Sequence, residues 1–408
     1  SKTLQCSYIG YKSFEKSIQI GKGANLENIQ LQSGLVLNEE VLVLGDRLKG
    51  QAKALNQQRT NANITNIVSS DQVGRFPDAN IGDALKRVPG ITMQNDQGEA
   101  RNIIIRGMAP QLNAVTLNGE RIPSAEGDNR NVQMDLIPAD MIQTIQVNKA
   151  VLPNMDADAI GGSVNLVTRK APNDLRISGT LGSGVNLLSK KPIYNGAFVL
   201  GNRIFNDKLG FVFSGSYNNH NFGSDNVEAV WIKTDQGAVV DELDNREYRV
   251  QRVRRSLSAN LDYDLNPNHS LGFTAMYNWR DDWENRYRMR VSQMEDAFDE
   301  GAYTQNGSVF TIPSARVEFQ TKGGINNDRV KNRRLEDQRV WNYTLNGRHL
   351  FNKLLTTWNV TMAKASEERP NERYISFRQK KQGVTLDITD PRFPLAVLTN
   401  RADNLEIE

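Results

Sequence analysis

At 408 residues the chain is long enough for two or three domains, and 50 basic against 47 acidic residues leave a net charge of only +3, too small for a field that gathers nucleic acid. A single cysteine, Cys6, excludes an intramolecular disulfide framework. Mean hydropathy is −0.55 and no apolar run approaches the ~18 residues of a spanning helix, yet a membrane β-barrel stays open because alternate residues carry its lipid face.

Ser1–Gly10 has no charged start followed by an apolar core, so an exported protein is expected here in a mature or trimmed form. From Leu4 to Leu31 the chain reads as short strands with turns (TLQCSYIGY, KSIQIG, ENIQLQ), the end of a small β-sandwich. Leu35–Gly45 is a valine-rich strip with an acidic pair. Asp46–Asn66, polar and rich in Gln and Asn, has the composition of a mobile linker. A β-prone strip on a flexible tether suits pairing with the sheet edge of another protein, and a further sandwich strand is the alternative.

The segment from Asp71 to Arg87 predicts a helix, with Ile81, Ala84, Leu85 and Val88 at helical spacing and Asp78 or Asn80 as its cap. Pro89-Gly90 ends it, and strands follow at Ile91–Gln94, Asn102–Arg106 and Val115–Asn118. Asn118-Gly119 is a hairpin turn signal, and Pro138–Ile142 is a short helix opened by proline. Strands at Thr144–Val147 and Ser163–Thr168 flank the pair Gly161-Gly162. Gly107, Gly119, Gly161 and Gly162 stand at strand ends, where sharp turns need glycine. Asp156, Asp158 and Gly161 mimic the start of a calcium loop, but Val167 occupies its twelfth position and the motif fails.

After Pro172 the period becomes two. Phe211, Phe213 and Tyr217 alternate with Ser214, Ser216 and Asn218; Leu257, Leu261 and Tyr263 with Ser258, Asn260 and Asp262; Phe273, Tyr277 and Trp279 with Thr274, Asn278 and Arg280. Strands of roughly nine to eleven residues with a small polar face match tilted membrane strands around a wet or plugged lumen. Tight turns (Asn206-Asp207, Asn266–Asn268, Asn352-Lys353) alternate with long charged loops (Asn219–Arg249, Arg280–Gln338), as the two rims of an outer-membrane barrel require. About seven strands fit between Leu175 and Ala363, and seven cannot close around a plug, so a further barrel portion is expected beyond the C-terminus.

Four ordered segments carry a family resemblance: IGDALKRVPGI (81–91), NIIIRGM (102–108), AVTLNGERIP (114–123) and DADAIGGSVNLVTRKAP (156–172). They resemble the plug domain of TonB-dependent outer-membrane receptors, over about Val73 to Ala171. The last is similar to the branch linked to uptake of carbohydrates and other polymer fragments, and the N-terminal IGY pattern is similar to a carboxypeptidase-regulatory-like domain.

The resemblance implies a mainly β protein: a transmembrane antiparallel β-barrel of about 22 strands when complete, enclosing a small α/β plug. The expected divisions are 1–34 for the regulatory-like β-domain, 35–70 for strip and linker, 71–172 for the plug and 173–408 for the first part of the barrel. By position, Glu39, Glu40, Val41, Leu42, Val43, Leu44 and Gly45 resemble a TonB box. In related receptors the arginine of the IRG motif and a second basic residue meet barrel glutamates; Arg106 and Lys149 stand at those places, though lysine lacks the bidentate fork. Lys149 as a solvated plug charge is the alternative.

Trp231, Trp283 and Tyr287 in the long loops are candidates for stacking on ligand, or else girdle aromatics. Arg288, in the run Arg286-Arg288-Arg290, is a candidate for an anionic ligand or lipopolysaccharide phosphate, or else a solvated charge. Neither a nucleophile elbow nor histidine ligand spacing appears, and no enzyme activity, metal or cofactor is implied. The function implied is TonB-dependent import of an oligosaccharide or a siderophore, with TonB and its inner-membrane energising complex, the lipid bilayer, lipopolysaccharide and a surface lipoprotein as partners. The alternative is a non-transporting barrel that docks within an outer-membrane assembly.

Overall fold

The structure, a computed structural model, describes residues 2–6, 14–19, 21, 27–30, 50–61, 63–69, 80–96, 99–127, 129–153, 155–235, 237–323, 334–370 and 372–407. They divide into two units, one up to residue 62 and one from residue 63 onward. In the first, β1 (Lys2–Cys6) and β2 (Phe14–Ile18) form a two-stranded antiparallel sheet with Lys2 opposite Ile18. The same unit holds a helix, α1 (Gln51–Thr60), where a coil linker was expected. Ala, Gln, Leu, Lys and Arg dominate it, and their helix propensity outweighs the low hydrophobicity that suggested a linker.

The second unit opens with β3 (Thr65–Ser69), which pairs antiparallel with β8 (Ile142–Asn148). Residues 65–69, assigned from sequence to the linker, are thus a strand of the plug sheet, and Thr65, Ile67 and Ser69 are buried on one face. Next come α2 (Ile81–Leu85), β4 (Ile91–Asp96), β5 (Glu99–Ile105), β6 (Asn113–Leu117), β7 (Glu120–Arg121) and β9 (Gly162–Thr168). The sheet order is β3-β8-β9-β6-β7 with β6 and β9 parallel, and β4–β5 is a separate hairpin. Asn80 caps α2, its side-chain oxygen accepting from the Asp83 amide at 3.0 Å, which satisfies one orphan donor of a very short helix.

The wall comprises β10 (Arg176–Asn186), β11 (Lys191–Ile204), β12 (Leu209–Thr234), β13 (Gly237–Asn266), β14 (His269–Ser292), β15 (Thr304–Asn306), β16 (Val309–Lys322), β17 (Arg334–Phe351), β18 (Leu354–Glu368), β19 (Tyr374–Asp387), β20 (Leu395–Leu398) and β21 (Glu406–Ile407), with a short helix α3 (Glu295–Asp299). Its lower part is an antiparallel meander of seven strands, β10 to β14 then β17 and β18, matching the expected number. The long charged loops are not loops: β12, β13 and β14 continue through them to lengths of 26, 30 and 24 residues. On β14 one face of the extension is charged and Asp281 and Asn285 interrupt the aromatic and apolar residues of the other, so hydrophobic alternation did not set these segments apart from loops.

At its upper end β14 changes partner. His269–Glu284 pairs with β17 and Arg286–Ser292 with β16, so the sheet forks. Buried Asn285 sits at the fork, its amide donating to the carbonyls of Lys322 (3.3 Å) and Gly323 (2.9 Å). Beyond the fork β16, β19 and α3 build a separate apolar core that includes Leu243, Val291, Phe298, Phe310, Val317 and Leu386.

Along the meander, Leu257, Phe213, Leu345, Val360 and Met362 are exposed on the outward face, while Leu261, Tyr277 and Trp279 are half-buried there. On β14 this face runs from His269, packed beside Phe351, to Trp279, which lies between the guanidinium groups of Arg255 and Arg339. Ten strand steps tilted by about 40° rise about 26 Å, the height of an outer-membrane apolar band.

The plug lies against the opposite, polar face. Asn260 of β13 donates to the Arg169 carbonyl at 2.9 Å, and Asn359 of β18 donates to Glu120 at 3.3 Å. Met276 and Val340 of the wall join Ile81, Leu85, Ile105 and Leu166 in one buried core, so plug and wall share it.

Candidate functional site

Strand alternation sets Arg252 and Arg254 on the inward face of β13, two residues apart. Register then places Arg280 of β14 opposite Arg254, and Asp282 opposite Arg252. Three guanidinium groups so close together repel unless anions lie among them. The plug supplies two. Glu99 opens β5 at the tip of the β4–β5 hairpin, and Asp135 sits in a 3₁₀ turn, Met134–Leu136, packed against β5 and β14.

Glu99 accepts from both Arg252 and Arg254, the latter at 2.9 Å through one oxygen, and Asp135 accepts from Arg280. Arg252 also holds Asp282, its Nε at 3.0 Å, and Arg280 holds Glu336 of β17 at 3.0 Å. Plug residue Arg101 pairs with Glu126 and Asp96 within the plug and lies 3.8 Å from Glu336. Glu99, Asp135, Arg252, Arg254 and Arg280 are all buried.

Burial alone would raise the Glu99 carboxyl, but Arg254 and Arg252 outweigh it and hold the group well below the carboxylate range. Asp135 is likewise lowered against its burial, by Arg280 and Arg101 first. Both carboxylates are ionised at neutral pH, and the ion pairs form a clasp between plug tip and wall. One row above the Arg254 pair, His220 faces Asn195 Oδ1 across 2.6 Å; burial, and then the nearby Arg254, push it down to about 4.

The candidates read from sequence fall elsewhere. Arg106, at a left-handed φ of 53°, donates to the carbonyls of Gly161 and Ile160, both at 3.1 Å. It thereby ties one glycine corner to another. The Lys149 amide donates to Ile64 at 3.0 Å, and its side chain lies beside Gly90. Among the described residues neither cation pairs with a wall carboxylate, and the observed clasp has the opposite polarity, plug acids on wall arginines. The signal for it was the arginine pair at i and i+2 on the polar face of a membrane strand.

Gly107 and Gly119 have open space but positive φ (76° and 93°), as their turns demand. At Gly161 a Cβ would lie 2.1 Å from Asn113 Oδ1, and at Gly162 2.7 Å from the Asn148 carbonyl, so here close approach excludes a side chain. Asp156 and Asp158 both pair with Arg121. Of the four ligand candidates, Arg288 points inward and pairs with Glu318. Trp283 and Tyr287 share the outward face of β14 with Trp279, and Tyr287 lies under Arg249. Trp231 is exposed at a bulge near the top of β12. The box strip, Glu39 to Gly45, lies outside the described residues.

Residues 56–163 match the family model described as TonB-dependent Receptor Plug Domain. Residues 56–163 are therefore a TonB-dependent receptor plug domain, and the strands that follow form the wall it packs against. Over 227 residues the receptor is 29% identical to the iron-regulated outer membrane virulence protein of Vibrio cholerae serotype O1, covering 53% of this chain and 31% of that protein. It is also 29% identical over 120 residues to the vitamin B12 transporter BtuB of Photobacterium profundum, covering 29% of this chain and 20% of that one. A solved structure, the siderophore receptor PirA from Pseudomonas aeruginosa, aligns over 85% of this chain and 60% of its own at 15% identity, with a TM-score of 0.41. The receptor thus spans about a third or less of the curated relatives named here. Its place, like theirs, is the outer membrane of a Gram-negative bacterium.

Proposed function

We propose that the whole receptor imports a ligand across the outer membrane, with TonB in the periplasm supplying the energy. The buried clasp is the observation that carries this reading. A plug held only by surface contacts would be a passive stopper, whereas Glu99 and Asp135 join the plug tip to strands that continue far above the apolar band. Ligand engagement at those strands and displacement of the plug then share one set of ion pairs, a coupling free energy between two sites. The relatives bear names of iron regulation, siderophore reception and vitamin B12 transport, which favours a scarce, chelate-like ligand over the oligosaccharide suggested by residues 156–172.

The proposed energy handle is the Glu39–Gly45 strip, adding as a strand to a sheet edge of TonB. Backbone hydrogen bonds would carry much of that affinity, so side-chain changes should be mild and a proline severe. In cells carrying a Val43→Pro receptor, uptake of an iron chelate should collapse while surface binding persists. Unimpaired uptake by this variant would remove the box from the strip.

A further inference from the structure

The lipid-facing side of the wall ends, at its short-turn rim, in an ordered corner of rings. His269 opens β14 and stands opposite His349 near the end of β17, both half-buried on the outward face. Their Nδ1 atoms lie 3.1 Å apart and their ring centres 5.3 Å, with the Phe351 ring 5.1 Å from His269 and 6.1 Å from His349. Trp358 of β18 completes the corner. Its indole is stacked on His349 at 22° and donates from Nε1 to His349 Nε2 at 3.1 Å. Gly347, opposite Trp358 in the register, makes the room, since a Cβ there would lie 2.5 Å from the indole.

The indole nitrogen sets the direction of this chain. It can only donate, so His349 Nε2 accepts and, with both imidazoles neutral, the His349 proton sits on Nδ1. That proton is given to His269 Nδ1, which leaves the His269 proton on Nε2. Two aligned hydrogen bonds thus end in one N–H, polarised by the bonds behind it. Among the described residues no protein group accepts from His269 Nε2. Rings that served only as an interfacial girdle would have no use for such order.

Depth identifies what faces this donor. Two rows toward the bilayer centre, Phe273, Leu345 and Val360 lie side by side and exposed to lipid. On the other side, the turn that follows Phe351 carries exposed Lys353. Short turns mark the periplasmic rim of such a barrel. Water would serve any exposed donor, but one set between an apolar face and a cation suits an anion held at the interface itself. In that leaflet the interfacial anion is a phosphodiester.

We infer that this corner is a binding site for a glycerophospholipid. A phosphate oxygen accepts from His269 Nε2, Lys353 balances its charge, and the acyl chains run up over Phe273, Leu345 and Val360. The site seats the wall in its bilayer and asks nothing of the imported cargo.

Native mass spectrometry of the full-length receptor in detergent, with dioleoylphosphatidylglycerol added, reads the site. Dioleoylglycerol, which has the same chains and no phosphate, should bind about tenfold or more weakly. His269→Phe keeps a ring beside Phe351 and removes the donor, and it should weaken the phospholipid by about tenfold or more. His269→Gln, whose amide nitrogen reaches about as far as imidazole Nε2, should recover most of that loss. A merely structural ring would give the reverse order, with Phe tolerated and Gln not. Millimolar inorganic phosphate should leave the lipid in place. Equal binding of dioleoylglycerol, a phospholipid affinity unmoved by His269→Phe, or displacement of the lipid by phosphate alone would overturn the proposal, the last by making this a site for the free anion.

Discussion

Glu99 is surrounded by charge it cannot do without. With Arg252 and Arg254 both donating to it in a buried site, a Glu99→Gln change leaves two guanidinium groups short of an anion. Breaking a buried pair from one side costs about 3–5 kcal/mol. Unfolding of Glu99→Gln and Arg254→Ala receptors in denaturant should show losses of that size. The double variant should lose less than their sum, and strict additivity would show that the two do not interact. His220 gives the clasp an acid limit. Its folded-state pKa of about 4 lies below the ordinary 6.5, so the unfolded chain binds the proton first and stability falls as pH drops through that window. Near pH 5 the loss should be about 2 kcal/mol. A His220→Asn receptor should keep its melting temperature from pH 7 to 5, whereas the parent's falls. Below about pH 4.5 both should weaken further, as Glu99 and Asp135 take up protons in the unfolded chain while remaining ionised in the folded one. Of these roles the sequence carried one signal, the arginine pair on the polar face of a strand; the acid after a hairpin tip acquires its role only when register brings the two together.

At the level of elements, the outward belt on β14 from His269 to Trp279 defines what the bilayer touches. Leu345 lies inside that belt on β17, opposite Phe273. A Leu345→Arg change should cost about 2–4 kcal/mol in lipid, as a midplane cation does. The same change at Arg339's level, Ser366→Arg, should be nearly neutral, and equal costs at both sites would displace the band. These membrane strands were legible because lipid on one side and plug on the other force strict alternation. The upper halves of β12, β13 and β14 were taken for loops because charge fills one face and polar residues such as Asp281 and Asn285 interrupt the other, which blurs the period. The plug followed from its punctuation, Asn80, Pro89-Gly90, Asn118-Gly119 and Gly161-Gly162. β3 escaped notice because TNIVS is too short and too polar to stand out beside a Gln-rich helix.

For the whole molecule, the fork at Asn285 separates two environments within one sheet. Below it the strands trade apolar side chains with lipid; above it, an ordinary water-excluding core forms around Phe298 and Phe310. The receptor is thus part membrane protein and part soluble domain, joined by continuous backbone, so a load on the upper sheet reaches the clasp without crossing a hinge. The shared core of plug and wall has a consequence for biogenesis. Met276 and Val340 complete a cluster to which Ile81, Leu85 and Ile105 also belong. A plug released alone would show water the apolar surface that those two side chains cover, and a wall inserted alone would leave buried Arg254 without an anion and Arg252 and Arg280 with one partner fewer. Neither half is a finished product for the insertion machinery to handle separately. The plug is better regarded as a mould around which the nascent wall sets, and its synthesis ahead of the wall, at the earlier end of the chain, is the order that such casting requires.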